Sequence, residues 1–98
     1  MNIHQKTKTG QRKHDKAVLR SAQWYDKQKY KVRVDLPECN KPKKIKGYIP
    51  DLIVKKGKKE IVVEIETKGS NGKDKEQQEA FREYCERKKE RKFRKKII

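Results

Sequence analysis

The chain of 98 residues has no long apolar run; its longest uninterrupted stretches, among them Leu52 to Val54 and Ile61 to Val63, are three residues each. A bilayer-spanning helix needs about 20 apolar residues, so no segment here spans a membrane in that way. No apolar leader segment opens the chain, and a cytoplasmic setting is expected. Cysteine is scarce. Cys39 and Cys85 are too few for a disulfide framework and lack C-x-x-C spacing. His4 and His14 have no cysteine spacing to match, which argues against zinc. Neither cysteine has a histidine-paired context that would mark a nucleophile. Gly69-Ser70-Asn71-Gly72 lacks the spacing and the lysine of a phosphate-binding loop. Acidic residues are also few: 14 Asp and Glu stand against 30 Lys and Arg, a net charge of +16. That surplus predicts a polyanionic partner, most often nucleic acid. A membrane surface fits less well, because the basic helices carry no large apolar face.

What is present suffices for one small domain. Hydrophobic residues are 31% of the chain, enough for one modest core, and they are clustered. Residues 1–12 are polar and basic and read as a flexible arm, with a single domain over 13–98. Ala17, Val18, Ala22 and Tyr25 recur at helical spacing and predict a helix over 13–27, its stripe widened by Leu19 and Trp24. Tyr30 to Leu36 alternates strictly and ends at Pro37, as a half-buried strand does. Tyr48 to Val54 and Glu60 to Lys68 read as two strands joined through Lys56-Gly57-Lys58 into a hairpin. After a break at residues 69–72, Lys73 to about Arg91 reads as a helix with Ala80, Phe81, Tyr84 and Cys85 as its apolar stripe. Phe93 to Ile98 is an edge strand or a helix tail. The order predicts an α/β or α+β domain.

The chemistry concentrates between Pro50 and Lys68. Strand alternation puts Val62, Glu64, Glu66 and Lys68 on one face and Ile61, Val63, Ile65 and Thr67 on the other. Carboxylates in so apolar a strand are costly unless they pair, bind metal or reach water. Asp51 poses the same question among Ile49, Leu52, Ile53 and Val54. Carboxylates on adjacent strands offer hard oxygen ligands for Mg²⁺, which retains waters and accepts phosphate oxygens. A nearby lysine would orient water or stabilise charge on a phosphate.

Pro50-Asp51, fourteen intervening residues, then Glu66-Thr67-Lys68 resembles the PD-(D/E)XK nuclease signature. That superfamily includes restriction endonucleases, archaeal Holliday junction resolvases and small virus-type replication-repair nucleases. The resemblance covers 13–98 and implies a small restriction-endonuclease-like α/β domain, helix, three strands, helix and strand around a mixed central sheet. It further implies a metal-dependent DNA endonuclease, structure-selective or nonspecific, in which Asp51 and Glu66 hold Mg²⁺ or Mn²⁺ and Lys68 acts at the scissile phosphate. Asp15 is then the candidate acid from the first helix, with Asp26 and Asp35 as alternatives, and Gln77 the candidate amide, with Gln78 beside it. Glu64 faces the same side as Glu66 and is the alternative or accessory acid; the E-x-K spacing favours Glu66. Glu86-Arg87-Lys88 and Glu90-Arg91-Lys92 also satisfy E-x-K, but in a charged helical run. Lys43, Lys44, Lys46, Lys73 and Lys75 are expected to grip DNA, and a homodimer would let two sites act on two strands.

The competing reading is a non-catalytic basic nucleic-acid-binding protein whose acids merely balance its lysines. In that view Asp15 is a first-turn acid favoured by the helix dipole. The row on the third strand is then a solvated face of cross-strand ion pairs. Trp24, Tyr25 and Tyr30 are expected in the core rather than stacked on bases. Charge alone does not distinguish DNA from RNA.

Overall fold

The computed structural model describes residues 12–68 and 75–98. The arm proposed for residues 1–12 therefore lies outside the described residues, except for Arg12, which opens the first helix. The elements run α1 (Arg12–Lys27), β1 (Lys31–Val34), β2 (Leu52–Lys56), β3 (Lys59–Glu66), α2 (Lys75–Glu86) and β4 (Arg91–Ile97). The strands form one sheet in the order β1-β2-β3-β4. β1 pairs antiparallel with β2, and β2 with β3, whereas β3 and β4 are parallel. A parallel pair needs a crossover, and α2 supplies it. This is the small α/β domain with a mixed sheet that the resemblance implies.

Alternation decides which side chains meet which helix. Val32, Val34, Leu52, Val54, Ile61, Val63 and Ile65 pack against Val18, Ala22 and Tyr25 of α1. On the other face Ile45, Ile53 and Val62 pack against Phe81 and Cys85 of α2, with Tyr48, Tyr84 and Phe93 at the margin. β3 is buried on both faces beyond its first residue, so it is the strand whose polar residues most need partners. One of them, Glu60, accepts the Tyr84 hydroxyl at 2.7 Å and lies 3.4 Å from Arg91 Nε. Arg91 in turn lies 3.8 Å over the Tyr84 ring. This cluster ties the end of α2 to the starts of β3 and β4. The Glu60 carboxylate and burial also push the Cys85 thiol up to about 11, with burial the larger cause, which leaves it an inert core residue.

Three boundaries differ from expectation. β2 begins at Leu52 rather than Tyr48, because Pro50 offers no N–H to the ladder and Ile45 and Tyr48 pair only with each other. α2 stops at Glu86, and the chain turns so that Arg91 onward runs beside β3. Glu90-Arg91-Lys92 thus enters a strand, not a helix. Phe93 to Ile98 is resolved as the edge strand, with Phe93 in the α2-side core. The expected hairpin is present, and Gly57 at its turn has φ of +60°, a conformation that glycine adopts without strain.

Candidate active site

Asp51 stands one residue before β2, where the chain bends after buried Pro50. Its backbone is held on both sides. Its carbonyl accepts the Asp35 N–H at 2.9 Å, and its own N–H donates to Glu64 Oε1 at 2.9 Å. Its carboxylate turns inward, with Oδ2 accepting the Ile65 N–H at 2.9 Å. The hairpin register explains the pairing. Leu52 faces Val63, so one step further along Asp51 faces Glu64.

Glu64 is 5% exposed and Glu66 4%, both on the α2 side of β3. α2 presents two amides to them. Gln77 Nε2 donates to Glu64 Oε2 at 3.2 Å, and Gln78 Nε2 donates to Glu66 Oε1 at 2.6 Å. Gln78 is itself held by Lys95 Nζ, 3.2 Å from its Oε1. Glu66 Oε2 is buried and has no hydrogen-bond partner among the described residues. From the other helix, His14 Nε2 lies 3.3 Å from Asp51 Oδ2, and His14 Nδ1 lies 3.2 Å from Asp15 Oδ1.

The electrostatics follow from this crowding. Burial, and then the charges of Asp51 and Glu66, push the Glu64 carboxyl up to about 8, against the Asp51 N–H that favours its charged form. The hydrogen bond to Asp51 is the main cause raising His14 to about 9, opposed by partial burial and aided by Asp15. At neutral pH the ring is therefore an imidazolium, and both nitrogens donate.

Both shifts act on stability in the same direction. Each group has a folded-state pKa above its unfolded value. Its contribution is thus complete below the unfolded pKa and is lost as pH rises through about 8 for Glu64 and about 9 for His14. The metal-free protein is expected to lose on the order of 1–3 kcal/mol between pH 6 and pH 9, several degrees of Tm for a domain this small. Melting curves in EDTA across that range check this; a flat Tm would contradict the crowding.

The structure thus brings Asp51, Glu64, Gln77 and His14 into one hydrogen-bonded group, with Asp15 attached through His14. Glu66 stands two residues beyond Glu64 on the same face, tied to Gln78. Lys68 lies past the end of β3 with its side chain exposed, its backbone N–H donating to Ile98 at 3.2 Å. Of the lysines expected on DNA, Lys43 lies 4.7 Å over the Tyr84 ring, and Lys46 is paired with Glu83. Lys44 and Lys75 are exposed, and Lys73 lies outside the described residues. Two of these residues are not legible in any local pattern: His14, whose approach to Asp51 depends on how α1 crosses the sheet, and Lys95, whose strand is ambiguous. Trp24 is expected in the core with Tyr25. Tyr25 is buried, but Trp24 is 51% exposed, because α1 turns only one stripe to the sheet.

A mixed four-stranded sheet between two helices, with carboxylates gathered where β2 begins and β3 ends, defines a restriction-endonuclease-like fold. The model of one family of that class, REase_AHJR-like, matches residues 5–96, and the chain belongs to that family. No curated protein and no solved structure matches it. Membership points to a nuclease, and restriction-endonuclease-like enzymes generally use divalent metals. Among the described residues, no helix is long and apolar enough to cross a membrane.

Proposed function

We propose that this protein is a metal-dependent DNA endonuclease of the PD-(D/E)XK type, in which Asp51 and Glu64 hold the metal. The observation that carries the reading is the direct opposition of Asp51 and Glu64 across the hairpin, joined by the 2.9 Å bond from the Asp51 N–H. The donor set fits a hard divalent cation. It offers carboxylate oxygens only, and the buried, unpartnered Glu66 Oε2 lies on the same face. Among the described residues no three His, Cys, Asp or Glu side chains enclose a metal by themselves. Two carboxylates with the remainder from water and phosphate is the usual arrangement for Mg²⁺. When bound, such an ion supplies Lewis acidity to a phosphoryl oxygen and lowers the pKa of a water.

The chain's own groups have distinct tasks in this reading. The Ile65 N–H and His14 hold the Asp51 carboxylate in one orientation. Gln77 does the same for Glu64. Glu66, poised by Gln78 and Lys95, is a further carboxylate on the same face, to accept a proton from water or to complete the ligand set. Lys68, exposed just past the end of β3, keeps the lysine role at the phosphate, and Lys95, held at Gln78, is a second ammonium on that face.

A binding surface for DNA adjoins the site. Asp51, just before β2, shares a face with Ile53 and Lys55 of that strand. Beyond Asp51 that face opens into a groove of about 300 Å³ lined by Lys31, Arg33, Lys43 and Lys55 over Ile53. A duplex backbone seated there would run into the carboxylates. The test is cleavage of labelled linear, flap and four-way-junction DNA with Mg²⁺, Mn²⁺ or EDTA. Metal-dependent cuts are expected. Salt-sensitive binding without cuts in any metal would instead favour a non-catalytic nucleic-acid-binding protein.

A further inference from the structure

A second basic surface lies on the opposite face of the sheet. α1 packs chiefly over β1, β2 and β3, leaving the α1-side face of β4 largely open. Strand register decides what that face shows. Ile61, Val63 and Ile65 face α1, and their partners on β4 are Lys92, Arg94 and Lys96. Three cations thus stand in a row on an edge strand, at intervals of roughly 7 Å. That interval is close to the separation of successive phosphates in an extended single strand.

Beside this row is a cavity of about 540 Å³, walled by Arg20, Ser21, Trp24 and Tyr25 of α1 and by Arg94, Lys95 and Lys96 of β4. Val63 forms its floor, and among the described residues no acidic one lines it. Arg20 and Trp24, four apart, share one helix face. The Trp24 indole is held edge-on against Tyr25, with centroids 4.9 Å apart, and Tyr25 is fixed by Arg94, 3.4 Å from its hydroxyl. The indole therefore has a supported position while half its surface faces solvent. An exposed indole framed by cations suits a nucleobase stacked on the ring with its phosphates on the neighbouring Lys and Arg. A paired base inside a duplex does not offer its face in this way.

We infer that the Trp24 cavity and the β4 cation row bind unpaired nucleotides, so that the preferred substrate carries a single-stranded segment beside its duplex. This deepens the endonuclease reading and rests on it for the identity of the nucleic acid as DNA. Trp24 lies ten residues along α1 from His14, about 15 Å. A nucleotide held there therefore lies at least two phosphate spacings from the carboxylates, on the other face of the sheet.

Trp24 is the only tryptophan, so its fluorescence reports this site alone. The full chain in EDTA is titrated with a short oligothymidylate and with a blunt duplex of equal length, while anisotropy of the labelled DNA records saturation. The single strand is expected to quench the indole, and the duplex to do so far less. Trp24→Ala should lower the ratio of single-strand to duplex affinity about ten-fold, and Trp24→Phe should restore part of it. Arg94→Gln should reduce the salt slope for the single strand by about 0.7. Unchanged emission at saturation, equal quenching by duplex, or an unmoved ratio in Trp24→Ala would overturn the inference. Because these readouts need no cleavage, failure of the nuclease reading would appear separately, as a wild type that cuts nothing in Mg²⁺.

Discussion

Glu64→Gln is expected to abolish metal-dependent cleavage while making the metal-free protein more stable at pH 8 and above. The amide has the shape of the carboxylate, and its oxygen still accepts the Asp51 N–H. It carries no charge to be crowded by Asp51 and Glu66, the repulsion that helps hold the Glu64 carboxyl up to about 8. A structural acid on a solvated sheet face would behave otherwise, since its replacement would leave both stability and activity nearly unchanged. Loss of an anionic metal ligand is expected to cost about 10³-fold or more in cleavage rate. Asp51→Ala should cost as much, and the double variant little beyond either single one, because residues acting on the same ion are not additive. DNA affinity should hold or rise in both, as negative charge facing phosphate is removed. Glu66→Gln and Lys68→Ala complete the set. If Glu66→Gln is as inactive as Asp51→Ala while Glu64→Gln retains activity, the metal pair is Asp51 with Glu66. Single-turnover cleavage with melting curves on the same preparations separates these outcomes.

The choice between Glu64 and Glu66 shows where the sequence was informative and where it was not. Alternation correctly assigned the faces of β3, and the hairpin was visible from Gly57. Motif spacing favours Glu66, whereas register sets Glu64 opposite Asp51. With Lys56 paired to Lys59 across a two-residue turn, partners run outward as Lys55 with Glu60, Val54 with Ile61 and, further on, Asp51 with Glu64. That count needs only the position of the turn. His14 was illegible for a different reason: its contact with Asp51 spans 37 positions and depends on the crossing of α1 over the sheet, which no local pattern encodes. The charged run after α2 misled in a third way. Residues 87–92 are good helix formers one by one, yet pairing with buried β3 draws the chain into β4. Trp24 reads as core because it is an aromatic at a helix–strand junction, yet its place at the edge of the α1 stripe leaves it exposed.

DNA binding is expected to weaken steeply with salt, but far less steeply than a net charge of +16 suggests. Counterion release counts only the cations that meet phosphates, with a slope near −0.9 per contact on duplex DNA. Several lysines already have partners within the protein, Lys41 with Asp35 and Lys46 with Glu83, and contribute little. Lys31, Arg33, Lys43 and Lys55 surround the groove beside Asp51, and Lys44 and Lys75 are exposed. Four to six contacts give a slope of about −4 to −5, a loss of roughly 10²- to 10³-fold in duplex affinity between 50 and 200 mM salt. Arg33→Gln or Lys55→Gln should each flatten the slope by about one, whereas Lys46→Gln should leave it nearly unmoved. Anisotropy titrations of a blunt duplex in EDTA measure these slopes directly. Equal effects at all three positions would mean that the duplex is held by diffuse charge over the whole surface. A groove that leads to the carboxylates requires the contrast.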